Sequence, residues 1–158
     1  MKKIIIVKPD KERLFNHLLQ DPDKENMAAT LCGHSLVGKQ LQLLVKEILL
    51  IEHDGLAVHA RTGLVLTEDT YRKILTRCDT IKTDLIIWHS HPFADMAWFS
   101  GIDNNNDMMH AKFLTKHLPK AYYGNVVVAQ KDYKARLFNK RTGLFEDIQE
   151  IVTFGQPN

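Results

Sequence analysis

Hydrophobic positions along the chain alternate between short solid runs and helical stripes. Ile4 to Val7 is a four-residue apolar run between a pair of lysines and Lys8-Pro9, the pattern of a short buried strand. Asp10 then suits the cap of a helix carrying Leu14, Phe15, Leu18 and Leu19 on one face, ended by Asp21-Pro22-Asp23. Met27 to Cys32 is small and apolar, as in a tightly packed strand, and Gly33 to Gly38 reads as a turn. Leu41, Leu43 and Val45 alternate with less apolar neighbours and run into Ile48 to Ile51, which predicts one or two strands. His53 to Gly63 reads as loop with a short strand.

A helix is expected from Thr67 through about Arg77, with Glu68 and Asp69 in the turn where the dipole favours acids. Leu85 to Trp88 is wholly apolar and predicts a central strand. A loop from Pro92 to Phe99 and a helix from about Ile102 to His117, stopped by Pro119, follow. Val126 to Ala129 and Ala135 to Phe138 form a hairpin pattern around Lys131 to Tyr133. After Gly143 one weak helical or extended stretch precedes an end expected to fray. The mixed order of strands and helices implies one α/β sandwich domain over 1–158, its core spanning about 4–138, with 143–158 as a tail. The sheet is expected to be mixed or largely antiparallel.

Composition narrows the setting. The 158 residues are 44% hydrophobic and 25% charged, as in an ordinary globular domain, and the formal charge of +2 argues against nucleic acid or an acidic membrane as partner. Cys32 and Cys78 stand far apart in apolar surroundings, which suits a reducing cytoplasm better than a disulfide framework. The opening apolar run is too short for a signal core, and no segment is long enough to span a bilayer.

Candidate chemistry is concentrated in His89-Ser90-His91-Pro92, followed seven residues later by Ser100-Gly101-Ile102-Asp103. If the central strand continues into His89 and His91, alternation points both imidazoles to one face. Asp103, in the first turn of the next helix, can return a carboxylate to the same point. Two histidines and one carboxylate leave a tetrahedral zinc ion an open position, and zinc can activate water there. Each half also has a plain structural reading. Two strand-end histidines can be surface residues, and Ser-x-x-Asp is also a helix capping box.

This spacing resembles the signature of the JAMM (MPN+) metalloprotease family: His-x-His-Pro, seven residues, Ser-x-x-Asp, and a glutamate well upstream. The resemblance spans roughly Ile4 to Phe138, although only the motif is specific. It implies a cytidine-deaminase-like JAMM/MPN α/β sandwich with a curved mixed sheet flanked by helices. It also implies zinc held by His89, His91 and Asp103, and Ser100 stabilising an oxyanion. The upstream acid matches Glu25 best, as a proton shuttle ahead of a strand of small apolar residues; Glu47 and Glu52 match less well. Many members carry glycines soon after the glutamate, where Ala28 and Ala29 stand here.

The implied activity is that of a peptidase or isopeptidase acting after the C-terminal tail of a ubiquitin-like protein. The compact chain is similar to bacterial members encoded with E1-like and E2-like proteins, some in anti-phage systems. A peptidase maturing a sulfur-carrier protein and a non-catalytic MPN scaffold are the other roles such a resemblance allows.

Other motifs fall short. Gly33 to Lys39 approaches a phosphate-binding loop, but Gln40 stands where Ser or Thr is required. Asp103, Asn105 and Asp107 begin like a calcium loop, but Met108 and Leu114 occupy its glycine and glutamate positions. Trp98 and Phe99 read as packing residues that could also line a groove, and His110 and His117 as helix-surface residues.

Overall fold

The computed structural model describes Met1–Gly155. Ten strands and three helices follow one another as β1 (Lys2–Val7), α1 (Lys8–Leu19), β2 (Met27–Val37), β3 (Gln40–Ile51), β4 (Leu56–Ala60) and β5 (Gly63–Leu66). Then come α2 (Glu68–Ile81), β6 (Asp84–Ser90), α3 (Gly101–His117), β7 (Tyr123–Val128), β8 (Tyr133–Asn139), β9 (Leu144–Asp147) and β10 (Glu150–Phe154). Eight strands form one sheet in the order β10-β1-β3-β2-β6-β7-β8-β9, and β4 pairs with β5 in a separate hairpin. The large sheet is mixed: β1 is parallel to β3 and β10, β6 is parallel to β7, and the other pairs are antiparallel. The chain is therefore a mixed α/β fold.

Alternation along β6 organises everything around it. Ile86 and Trp88 face a core shared with Leu14 and Leu18 of α1, while Leu85 and Ile87 face a second core with Ile74 and Cys78 of α2 and Ala111 and Leu114 of α3. Helices thus cover both faces, and the odd-numbered positions of β6 look toward α2 and α3. Trp88, fully buried, donates its indole N–H to Thr30 Oγ1 at 2.9 Å, so its polar edge is satisfied inside the first core.

Four local expectations are corrected. Helix α1 begins at Lys8, directly after extended Val7, with Pro9 in the first turn where its missing N–H is harmless; Asp10 lies inside the helix rather than capping it. Strand β2 runs through Gly33 to Val37 because β3 supplies partners along that length, from Leu44 opposite Gly33 to Gln40 opposite Val37. The turn is confined to Gly38-Lys39, where Gly38 takes φ +61°. Helix α2 continues past Arg77 because Ile74, Cys78 and Ile81 extend its apolar stripe, and it ends at left-handed Lys82.

The fourth correction concerns the tail. Rather than one weak stretch, residues 144–154 form β9 and β10, and β10 pairs in parallel with β1 from Glu150 opposite Lys3 to Phe154 opposite Val7. Ile148 and Ile151 are buried in the α1-side core, so the core extends beyond Phe138. The end expected to fray, Gln156–Asn158, lies outside the described residues. Among the described residues no helix is long and apolar enough to cross a membrane.

Candidate metal centre

The odd-numbered face of β6 leads directly to the site. His89 pairs with Met27 in the β2–β6 ladder, and His91 continues the β6–β7 pairing by donating its N–H to Val128 O at 2.8 Å. Ser90, on the opposite face, is buried; its hydroxyl accepts from Asn26 N at 2.9 Å while its own N–H donates to Asn26 O at 3.1 Å. That clamp fixes the chain just before β2 against the end of β6 and brings Glu25 to the same side as Met27. Glu25 N also donates to Ala60 O at 3.2 Å, tying the segment to β4.

Pro92 ends the strand, and the loop that follows is braced rather than loose. Gln130 holds Pro92 O through its side chain and Ala94 O through its backbone, and Ala97 N donates to Asp132 Oδ2. The loop delivers Ser100 as the N-cap of α3. Ser100 Oγ accepts from Asp103 N at 3.1 Å, and Asp103 Oδ2 accepts from Ser100 N at 2.6 Å, a complete capping box. Capping and convergence on the histidines coexist in one side chain: Asp103 Oδ1 lies 3.3 Å from His89 Nε2, and Oδ2 lies 3.7 Å from His91 Nε2. Glu25 Oε1 is 3.5 Å from His91 Nε2.

These distances have the scale of a coordination sphere. Tetrahedral zinc with bonds near 2.0–2.1 Å separates its ligand atoms by about 3.3 Å, and donor atoms of His89, His91 and Asp103 all lie within 4.8 Å of one another. Both imidazoles also keep a nitrogen without a partner. His89 Nε2 and His91 Nδ1 are buried without hydrogen-bond partners; despite its 3.3 Å approach, Asp103 Oδ1 lies outside hydrogen-bonding geometry for His89 Nε2. Buried imidazole nitrogens rarely stay unpaired. The group can hold a metal ion.

The electrostatics fit that role. Burial, helped by neighbouring His89, pushes His91 down to about 4, leaving the ring neutral and able to donate a lone pair. Burial opposes ionisation of Asp103, but His89 and the Ser100 donors outweigh it and hold the carboxyl well below its ordinary range. Burial likewise opposes a charged His89, yet Asp103, Asp107 and Glu25 together raise its proton affinity. Burial raises Glu25 to about 7, with His89 lowering it and Asp103 raising it.

The site opens into a cavity of about 470 Å³ whose walls include Leu64 and Val65 of β5, Tyr71 of α2 and Met109 of α3. Trp98 lies 4.8 Å from the His91 ring and lines this cavity, and Phe93 stacks on the same ring at 5.7 Å and 17°. Phe99 instead packs beneath Arg136, 3.6 Å from its guanidinium carbon.

No family profile and no curated protein matches the chain. Among solved structures it is similar to protein DSY2949 from Desulfitobacterium hafniense, solved in solution. The identity is 17%, the TM-score is 0.59, and the match covers 97% of this chain and 94% of the other. That likeness is one of fold.

The structure places His89, His91, Asp103, Ser100 and Glu25 around one cavity. It does not bring Glu47 or Glu52 there: Glu47 pairs with Arg77 of α2 at 2.9 Å, and Glu52 is exposed. His110 is half-buried and stacked on Tyr71 at 5.2 Å in the cavity wall, contrary to the surface position expected, whereas His117 is exposed beside Phe113. Gly33 to Lys39 lies in the β2–β3 hairpin and Asp103 to Asp107 within α3, so neither forms an ion- or phosphate-binding loop.

Helix α3 has a further support from β8. Arg136 of β8 donates to Asn104 Oδ1 at 2.6 Å and Asp107 Oδ2 at 2.7 Å, with Phe99 and Phe145 beside its guanidinium. Asp107 lies one helical turn after Asp103, a spacing that could have flagged a shared face.

Proposed function

We propose that this chain is a zinc-dependent peptidase or isopeptidase of the JAMM type, cleaving after the C-terminal tail of a ubiquitin-like protein. The observation that carries the reading is the convergence of Glu25, His89, His91 and Asp103 from three separate segments, with His89 Nε2 buried and unpaired beside Asp103. The helix-flanked mixed sheet supports reading the fold as that family's cytidine-deaminase-like sandwich. Two buried, unpaired cysteines support a cytoplasmic setting.

The donor set favours zinc, for which two imidazoles, one carboxylate and an open position are an established catalytic arrangement. When bound, zinc lowers the pKa of water toward neutrality and polarises a carbonyl. The protein's own residues do the rest. His91 is held neutral and Asp103 ionised, so both are ready donors. Glu25, raised to about 7, can accept and return a proton near neutral pH beside the bond being cleaved. Ser100 is fixed at the head of α3 and lines the cavity, where its hydroxyl can support developing negative charge. The cavity, lined by residues of β5, α2 and α3, offers room for part of a peptide tail.

The test is hydrolysis of a ubiquitin-like protein fused through its C-terminal glycine to a reporter amine. Zinc-loaded protein is expected to release the reporter, while Glu25→Gln keeps its metal and loses turnover. A zinc-loaded parent inert toward such fusions and toward isopeptide-linked forms would exclude the reading.

A further inference from the structure

A second constellation occupies the opposite end of β6. Asp84 begins that strand and Ser90 ends it, so the two ends are about 20 Å apart at the usual rise per residue. There the curved sheet brings residues of β1, β2 and β3 close to residues of β8 and β9. Lys2 of β1 forms a 2.5 Å ion pair with Glu146 of β9, and both line a mouth-like cavity of about 470 Å³. Its apolar floor includes Leu41 and Leu137.

One imidazole at this mouth is held in a fixed pose. Asp84, 2% exposed, accepts from Tyr122 N at 2.8 Å through Oδ1 and from His34 Nδ1 at 2.8 Å through Oδ2. Tyr122 braces the ring edge-on, with centroids 4.9 Å apart. His34 Nε2 has no hydrogen-bond partner among the described residues, and the side chain lines the cavity. An imidazole oriented by a buried carboxylate presents its other nitrogen in a defined direction. That nitrogen can donate to an oxyanion when protonated, or accept from a phosphate hydroxyl when neutral.

The surrounding charge selects the ligand. Four cationic side chains, Lys2, Lys120, Lys140 and Arg141, line the mouth against one lining carboxylate, Glu146. The whole chain carries a formal charge of only +2, so positive charge is concentrated here. Lys140 covers the carbonyls of Pro119 and Ala121 at 2.6 and 2.5 Å, neutralising the loop after α3 that would otherwise repel an anion. Lys120 and Arg141 are exposed and make no ion pair among the described residues, so their charges remain available. A volume of this size falls within the range of small-molecule pockets.

We infer that the His34–Asp84 mouth is a binding site for a small phosphate ester, separate from the metal centre and independent of its activity. His34 Nε2 and the free cations Lys120 and Arg141 would contact the phosphate, and the apolar floor would receive the remainder. The probes are inorganic phosphate and pyrophosphate, titrated into the full chain and followed by amide and imidazole NMR shifts. Saturable shifts at His34, Tyr122 and Arg141 are expected, with pyrophosphate binding more tightly. Lys120→Ala combined with Arg141→Ala removes two charge-assisted contacts from exposed positions and should weaken binding about tenfold or more. His89→Ala should leave the phosphate affinity unchanged. Shifts that stay linear with added anion, or saturable binding that the double variant leaves intact, would overturn the site.

Discussion

The two ends of β6 each set a histidine against a carboxylate, and they do so differently. At the N-terminal end His34 and Asp84 form a 2.8 Å hydrogen bond, with the carboxylate buried and the ring open to solvent. At the C-terminal end His89 lies 3.3 Å from Asp103 without a hydrogen bond, and both histidines there keep an unpaired buried nitrogen. A closed pair satisfies itself, whereas in the convergent set His89 Nε2 faces Asp103 with no hydrogen-bond partner. The same residue types thus build a fixed donor at one end and a group that can hold a metal ion at the other.

The largest effect expected from breaking this contrast comes from the convergent set. His89→Ala or His91→Ala should weaken zinc binding more than about 100-fold, beyond the loss typical of an outer-shell partner; metal analysis after dialysis checks this. Glu25→Gln should retain the metal but reduce turnover by roughly 10²- to 10⁴-fold, the range for losing a proton-transfer group, measured as kcat on a saturating fusion substrate.

Stability changes should be smaller. In metal-free protein, Glu25 is raised from an ordinary 4.5 to about 7. Its folded form holds the proton more tightly than the unfolded chain, so its contribution is fully present below 4.5 and lost as pH rises through 7. His91 runs the other way: its pKa is lowered from 6.5 to about 4, so stability is lost as pH falls through 6.5 toward 4. Comparing metal-free Glu25→Gln with the parent isolates the first contribution. The variant should be more stable at pH 8 by about 1–2 kcal/mol, discounted for solvent screening, and the gap should close toward pH 5 in denaturant titrations.

Ser100→Ala removes the cap of α3 and should cost about 1 kcal/mol, with zinc affinity falling as Asp103 loosens. At the closed end, His34→Ala leaves one oxygen of buried Asp84 without its partner. The ring's exposure limits this loss to about 1 kcal/mol, with metal stoichiometry unchanged; thermal melts and metal analysis together read both ends.

Much of the metal end is legible in the sequence because its information is local. The apolar run of β6 sets the alternation, His89 and His91 inherit one face from it, and Ser100 and Asp103 carry their own capping signature. Glu25 is harder, since its place depends on Met27 pairing with His89 and on Asn26 being clamped to Ser90. Neither link leaves a local pattern. Arg136 escaped for the same reason, being an ordinary strand arginine until β8 sets it beneath α3. The tail's two strands are not legible locally because β10 pairs with β1 across nearly the whole chain, and a short edge strand such as Glu150 to Phe154 carries little periodicity. Gly33 looked like a turn because its flexibility is visible, while the partners that β3 offers it are not.

The claim on which the account depends is that the open end of β6 holds zinc. Metal content of the parent, purified without chelators and then dialysed with a slight excess of zinc, tests it directly. One tightly held zinc per chain is predicted, lost in His89→Ala and kept in Glu25→Gln. A parent that binds none, or a His89→Ala variant that retains it fully, would contradict the account.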